Sequence, residues 1–104
     1  MKRYASVIGV RPDKLAYYKK LHAQPWPEVL AMIESCHIRN YSIYLFGDQL
    51  FSYFEYTGDD YDADMARMAA DPITQAWWHE TDPCQFPLVP GEKWAPIEEV
   101  FHTD

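Results

Sequence analysis

Arg39-Asn40-Tyr41-Ser42-Ile43-Tyr44-Leu45-Phe46 and Leu50-Phe51-Ser52-Tyr53-Phe54-Glu55-Tyr56 flank the short link Gly47-Asp48-Gln49. Both runs are aromatic and β-branched with polar residues interleaved, the composition of half-buried strands. A three-residue, Gly-containing link between two such runs signals a β-hairpin. This hairpin decides the fold, because helical segments lie on either side of it and strand-like runs lie beyond them. Tyr41 alternates with Ile43 and Leu45, so its ring is expected on their face.

Upstream, Tyr4-Ala5-Ser6-Val7-Ile8-Gly9-Val10 reads as a first strand. Arg11-Pro12-Asp13 turns into a helix, with Pro12 near its start and Asp13 at its positive end. This helix runs to about His22, with Ala16, Leu21 and one of Tyr17 and Tyr18 facing inward. Pro25 and Pro27 bracket Trp26 and forbid a continuous helix. Pro27 suits the first position of a second helix that carries Val29, Leu30, Met32 and Ile33 and ends near Ser35-Cys36-His37. Trp26 reads as a packing anchor at the break.

Downstream, Thr57-Gly58-Asp59-Asp60 is a turn. The run from Asp60 to about Ala70 opens a helix with acidic residues at its N-terminus. Asp59, Asp60, Asp62 and Asp64 lack the glycine and distal Glu of an EF-hand, so they read as helix-start carboxylates. Asp71 as N-cap and Pro72 at the first position restart a short helix that holds Trp77 and Trp78. Pro83 to Pro90 reads as a loop, and Ile97-Glu98-Glu99-Val100-Phe101-His102 as the last strand. The order is βαββαβ, the ferredoxin-like split pattern of an α+β fold. No repeat or linker divides residues 1–104, so one domain is expected.

The charge balance, 9 basic against 16 acidic residues and a net −7, argues against a nucleic-acid partner. No segment approaches the roughly 20 apolar residues of a membrane span, and no signal-peptide h-region follows Met1. Cys36 and Cys84 fit no CxxC pattern and read as reduced thiols of a cytoplasmic protein. The four histidines lack HxH or HExxH spacing, so no metal site is expected. P-loop, GxGxxG and GxSxG motifs are all missing from the chain. Eight Tyr, five Phe and four Trp suit a small-ligand pocket as well as a core.

Tyr18 and His22 stand four apart and share one helix face. A phenol and an imidazole together can move protons near neutral pH. The same spacing also suits an amphipathic helix with one half-buried Tyr and one surface His. Trp77 and Trp78 point about 100° apart on a helix, so one can reach a pocket while the other packs the core. Two core tryptophans fit equally well. Tyr41 offers its hydroxyl to a ligand or fills a core.

Taken together, Tyr18 and His22, Trp26-Pro27-Glu28, Asn40-Tyr41-Ser42-Ile43, Leu50-Phe51, Trp77-Trp78 and Glu98-Glu99-Val100-Phe101-His102 resemble the L-rhamnose mutarotase family. The resemblance runs along nearly the whole chain. It implies a homodimeric ferredoxin-like α/β barrel that interconverts the anomers of a free monosaccharide without a cofactor. It implies that His22 is the catalytic proton donor and that Tyr18, Tyr41, Trp77 and Trp78 contact the sugar. The stretch from Cys84 to Trp94 departs from the family's better-known rhamnose enzymes, which opens L-fucose as a competing substrate. Two other readings share the scaffold: a dimeric-barrel monooxygenase or haem-degrading enzyme, and a non-catalytic sugar-binding module.

Overall fold

In the computed structural model, which describes residues 1–104, an antiparallel sheet carries two pairs of helices on one face. Strand β1 (Lys2–Val10) leads through a 3-10 turn at Pro12–Lys14 into α1 (Leu15–Ala23). Helix α2 (Pro27–Ser35) starts after the Pro25/Pro27 break, with Trp26 in extended backbone at its N-cap. Strands β2 (Ile38–Phe46) and β3 (Gln49–Tyr56) form the expected hairpin. Its turn is one residue tighter than the sequence suggests, because Phe46 pairs with Gln49 across Gly47-Asp48. Gly47 takes φ 62°, which a side chain there would resist.

Helix α3 (Tyr61–Ala70) is capped by Asp60, whose carboxylate accepts from the Ala63 N–H at 3.1 Å. Helix α4 (Pro72–Thr81) is capped by Asp71, which accepts from the Thr74 N–H at 2.9 Å and its hydroxyl at 2.8 Å. Both caps satisfy helix donors that would otherwise lack partners.

The sheet order is β2-β3-β1-β4, the ferredoxin-like arrangement. The last position differs from the sequence reading. It is filled by β4 (Gln85–Phe86), opposite Val10 and Gly9, and by β5 (Ala95–Pro96), opposite Val7 and Ser6. The loop 87–94 bulges out between them. The expected strand Ile97–His102 forms no ladder beyond one bond, from the Ile97 N–H to the Ala5 carbonyl at 3.0 Å. Val100 and Phe101 are 88 % and 79 % exposed. Strand propensity needs a surface to pack on, and within one chain these residues find none.

Two small buried clusters hold the layers together. Ile8, Val10, Tyr18, Leu50 and Cys84 form one. Cys36, Ile38 and Met68 form the other. Between them lies a cavity whose walls draw on both.

Candidate active site

Helix α1 supplies the chemistry. Tyr18 is buried and Tyr17 turns outward, where its hydroxyl donates to the Glu80 carboxylate and ties α1 to α4. One turn on, the His22 ring stacks on the Tyr18 ring with centroids 4.1 Å apart. The His22 Nδ1–H donates to the Tyr18 carbonyl oxygen at 2.8 Å. In the neutral ring this leaves Nε2 as the acceptor. Burial lowers the His22 pKa, and the bond to the Tyr18 carbonyl only partly offsets that. The neutral ring is therefore the resting form near pH 7.

Tyr18 and His22 line a cavity of about 440 Å³ between the sheet and the helices. That size lies in the lower half of the range for small-ligand sites. The Gln85 Nε2–H donates to the Tyr18 hydroxyl at 3.3 Å, which leaves the Tyr18 O–H free to donate. Burial pushes the Tyr18 pKa up, and the nearby Tyr41 phenol pushes it further. Tyr18 thus stays protonated and acts as a hydrogen-bond donor.

Trp77 and Trp78 both line the cavity. Trp77 is 7 % exposed, and its edge meets the His22 ring at 5.2 Å and the Trp26 ring at 5.2 Å. Trp78 is 37 % exposed and stands at the rim. Trp26 is the packing anchor expected of it, because it buttresses Trp77.

Tyr41 reaches the same cavity on the face it shares with Ile43, as alternation predicts, and a bulge the sequence hid brings Ile38 to that face as well. Arg39 pairs with Glu55 and Ser42 with Tyr53, so Asn40 and Tyr41 together oppose Phe54. This β-bulge, with Asn40 at φ 52°, flips the alternation. Ile38 ahead of it and Tyr41 and Ile43 after it then all face the cavity. The Asn40 side chain donates to Glu55 at 2.7 Å and holds the bulge. Burial raises the Tyr41 pKa, so it too is a neutral donor. Leu45 turns instead to a neighbouring cavity of about 350 Å³ that shares Tyr18, His22 and Ile43 as its wall. All five residues singled out from the sequence therefore line one cavity.

The family profile for L-rhamnose mutarotase matches residues 3–103. The chain belongs to the L-rhamnose mutarotase family. An L-rhamnose mutarotase of Oceanobacillus iheyensis is 34 % identical, with all of both chains covered. An L-fucose mutarotase of Xanthomonas campestris is also 34 % identical, over 97 % of this chain and 87 % of that one. The crystal structure of an L-rhamnose mutarotase from Formosa agariphila superposes with a TM-score of 0.79 over all of both chains, at 24 % identity. Membership in the L-rhamnose mutarotase family separates this chain from the monooxygenases and haem-degrading enzymes that share the scaffold.

Several cavity residues escaped the sequence reading. Ser6 and Ser52, directly opposed in β1 and β3, share a hydrogen bond of 2.5 Å on the cavity wall. Tyr4 stacks on Tyr61 at 4.4 Å and on Phe54 at 5.4 Å. Their signal was the β1/β3 register, which puts Tyr4 and Phe54 on the same face as Ser6 and Ser52. Gln85 comes from the Pro83–Pro90 stretch read as a loop, Asp82 precedes it and Lys93 and Trp94 follow it, and no local motif marks any of them. No three His, Cys, Asp or Glu side chains gather into a metal-ligating group.

Proposed function

We propose that this protein interconverts the α and β anomers of a 6-deoxy-L-sugar, L-rhamnose foremost, with His22 as the catalytic residue. The observation that carries this is the His22 tautomer, with Nδ1–H anchored on the Tyr18 carbonyl and Nε2 left as an acceptor in a ring that lines the cavity. Ring opening breaks the O1–H and C1–O5 bonds and makes C1=O and O5–H. Nε2 takes the proton from O1, and the imidazolium so formed gives it to O5. Both oxygens are bonded to C1, so one nitrogen can serve both. Rotation about C1–C2 and closure on the other aldehyde face complete the exchange. His22 is then the proton donor to the ring oxygen that the resemblance implies, and it is also the base that the sequence did not name.

Tyr18 and Tyr41 donate to sugar oxygens. Trp77 and Trp78 hold the apolar C–H face and the C6 methyl, and their indole N–H groups are available to hydroxyls. Positioned acid–base catalysis contributes roughly 10²–10⁴-fold, with no metal in the scheme. The name of the Xanthomonas relative supports L-fucose as the second reading.

The functional unit in this reading is a homodimer. Tyr44 and Phe46 are 65 % and 77 % exposed near the end of β2, and Val100 and Phe101 are 88 % and 79 % exposed, an apolar surface left without a partner within one chain. A second copy would cover it. The two buried free thiols support a reducing compartment such as the cytoplasm.

NMR magnetisation transfer between the anomers tests the activity. Accelerated exchange of L-rhamnose or L-fucose, lost in His22→Ala while tryptophan fluorescence still reports sugar binding, is the expected result. Binding without acceleration for any sugar would replace the enzyme with a sugar-binding module.

A further inference from the structure

The cavity is lined by one Asp and one Lys and by no Glu or Arg. Asp82 opens the 3-10 turn that follows α4, and Lys93 closes the loop 87–94. Their charged ends meet at 2.7 Å between Asp82 Oδ2 and Lys93 Nζ. Both positions are fixed by the fold. Asp82 follows directly on the helix that carries Trp77 and Trp78. Lys93 precedes Trp94, which packs on the core cluster of Ile8, Val10 and Leu50, and then β5 on the sheet edge. The loop between them is folded back by a Val89–Glu92 bridge with Gly91 at φ 83°.

Neither side chain makes any other bond. An ammonium has three donors and a carboxylate two oxygens, so the pair keeps two N–H groups and one oxygen free. Such a set matches a vicinal diol, in which one hydroxyl donates and its neighbour accepts. His22 and Tyr18 engage the C1–O5 edge of the pyranose in the proposed reaction. The opposite edge of the ring is C3–C4, and its two hydroxyls need partners of this kind.

We infer that the Asp82–Lys93 pair binds the C3–C4 hydroxyls of the sugar and determines which 6-deoxy-L-sugar is accepted. L-rhamnose and L-fucose share the configuration at C3 and differ at C2 and C4. A pair that bridges O3 and O4 therefore distinguishes them by the O4 direction. The inference rests on the mutarotase reading for the orientation of the sugar. It places one member of the pair, Lys93, in the stretch that departs from the family's better-known pattern.

The experiment measures anomer exchange against sugar concentration, and binding by tryptophan fluorescence, for L-rhamnose, L-fucose and 4-deoxy-L-rhamnose. The proteins are the full chain, Asp82→Asn, Lys93→Met and the swap Asp82→Lys with Lys93→Asp. Both side chains are partly exposed, so the loss lies near the low end for a charged hydrogen bond, about tenfold. The expected result is a half-saturating concentration raised about tenfold for the preferred sugar, with the loss falling there rather than on the saturated rate. The preference between the two sugars should shrink by a similar factor, and 4-deoxy-L-rhamnose, which keeps only the C3 hydroxyl of the pair, should respond less than L-rhamnose. The opposing result is an equal change for all three sugars, or a swap variant that restores the original preference. Either would make the pair a loop staple and overturn the inference. A full chain that binds one sugar selectively without accelerating exchange would sink the mutarotase reading alone, and the binding titrations of the variants would still decide the role of the pair. A full chain that neither binds nor exchanges any sugar would overturn both.

Discussion

The pH dependence of exchange distinguishes what His22 does first. Were the resting ring the acid, the rate would climb as pH falls toward and below the ordinary histidine value of 6.5. With neutral Nε2 as the base, the rate must do the opposite. Protonated Nε2 accepts nothing, so the rate is flat where the ring is neutral and falls tenfold per unit once pH passes below the folded pKa. Burial lowers that pKa, so the acid limb sits below 6.5, and more than half of the plateau rate survives at pH 6.5. Removing the ring in His22→Ala should lower the saturated rate by about 10²–10⁴, equivalent to about 2.7–5.5 kcal/mol of barrier. It should also abolish the limb. The assay is anomer exchange by NMR from pH 5 to 8, with spontaneous mutarotation at each pH subtracted. A rate that rises with acid, or a His22→Ala variant that loses binding as much as turnover, refutes the base-first mechanism.

Trp77 is nearly buried, so Trp77→Ala should cost about 3 kcal/mol of stability in a denaturant titration as well as sugar affinity. Trp78→Ala, at the rim, should weaken binding with a much smaller change in stability. Asp64 accepts from the Tyr56 hydroxyl at 2.5 Å and from His37 Nδ1–H at 2.9 Å, which lowers its pKa to about 2. Its contribution is present above the ordinary value of 3.8 and is lost as pH falls toward 2. Thermal melts of the full chain should therefore drop across that window, and those of Asp64→Asn should drop less. The proposed homodimer should give a dimeric mass in light scattering that falls to monomer in Phe46→Lys; a monomeric full chain would overturn the dimer, and an unchanged dimeric mass would place the interface elsewhere.

The parts of the fold legible in the sequence are those set by local chemistry. Pro12, Pro27 and Pro72 start helical turns where a missing N–H costs nothing, and Asp60 and Asp71 cap helices because short carboxylates reach the next free N–H groups. The hairpin follows from Gly47 and two aromatic runs. What the sequence hid depends on partners far along the chain. The run at Ile97–His102 has strand composition, yet pairing on the β1 edge goes to Gln85–Phe86 and Ala95–Pro96 and stops at the Ile97 N–H. Two-residue strands carry no periodicity to detect.

The site divides along the same line. Tyr18 and His22 share a helix face through local geometry, so spacing alone brings them together. Tyr41 faces the cavity although simple alternation from Ile38 would turn it away, because Asn40 takes up the extra residue of a bulge. Gln85 reaches the Tyr18 hydroxyl, and Asp82 meets Lys93, only once β4 and β5 have docked on β1. In the proposed mechanism the chemistry at C1 is thus written in one helical turn, where its geometry is stiff, and the recognition of the remaining hydroxyls falls to contacts closed by a loop. A family can vary its sugar by rebuilding that loop while the proton transfer stays where helix α1 put it.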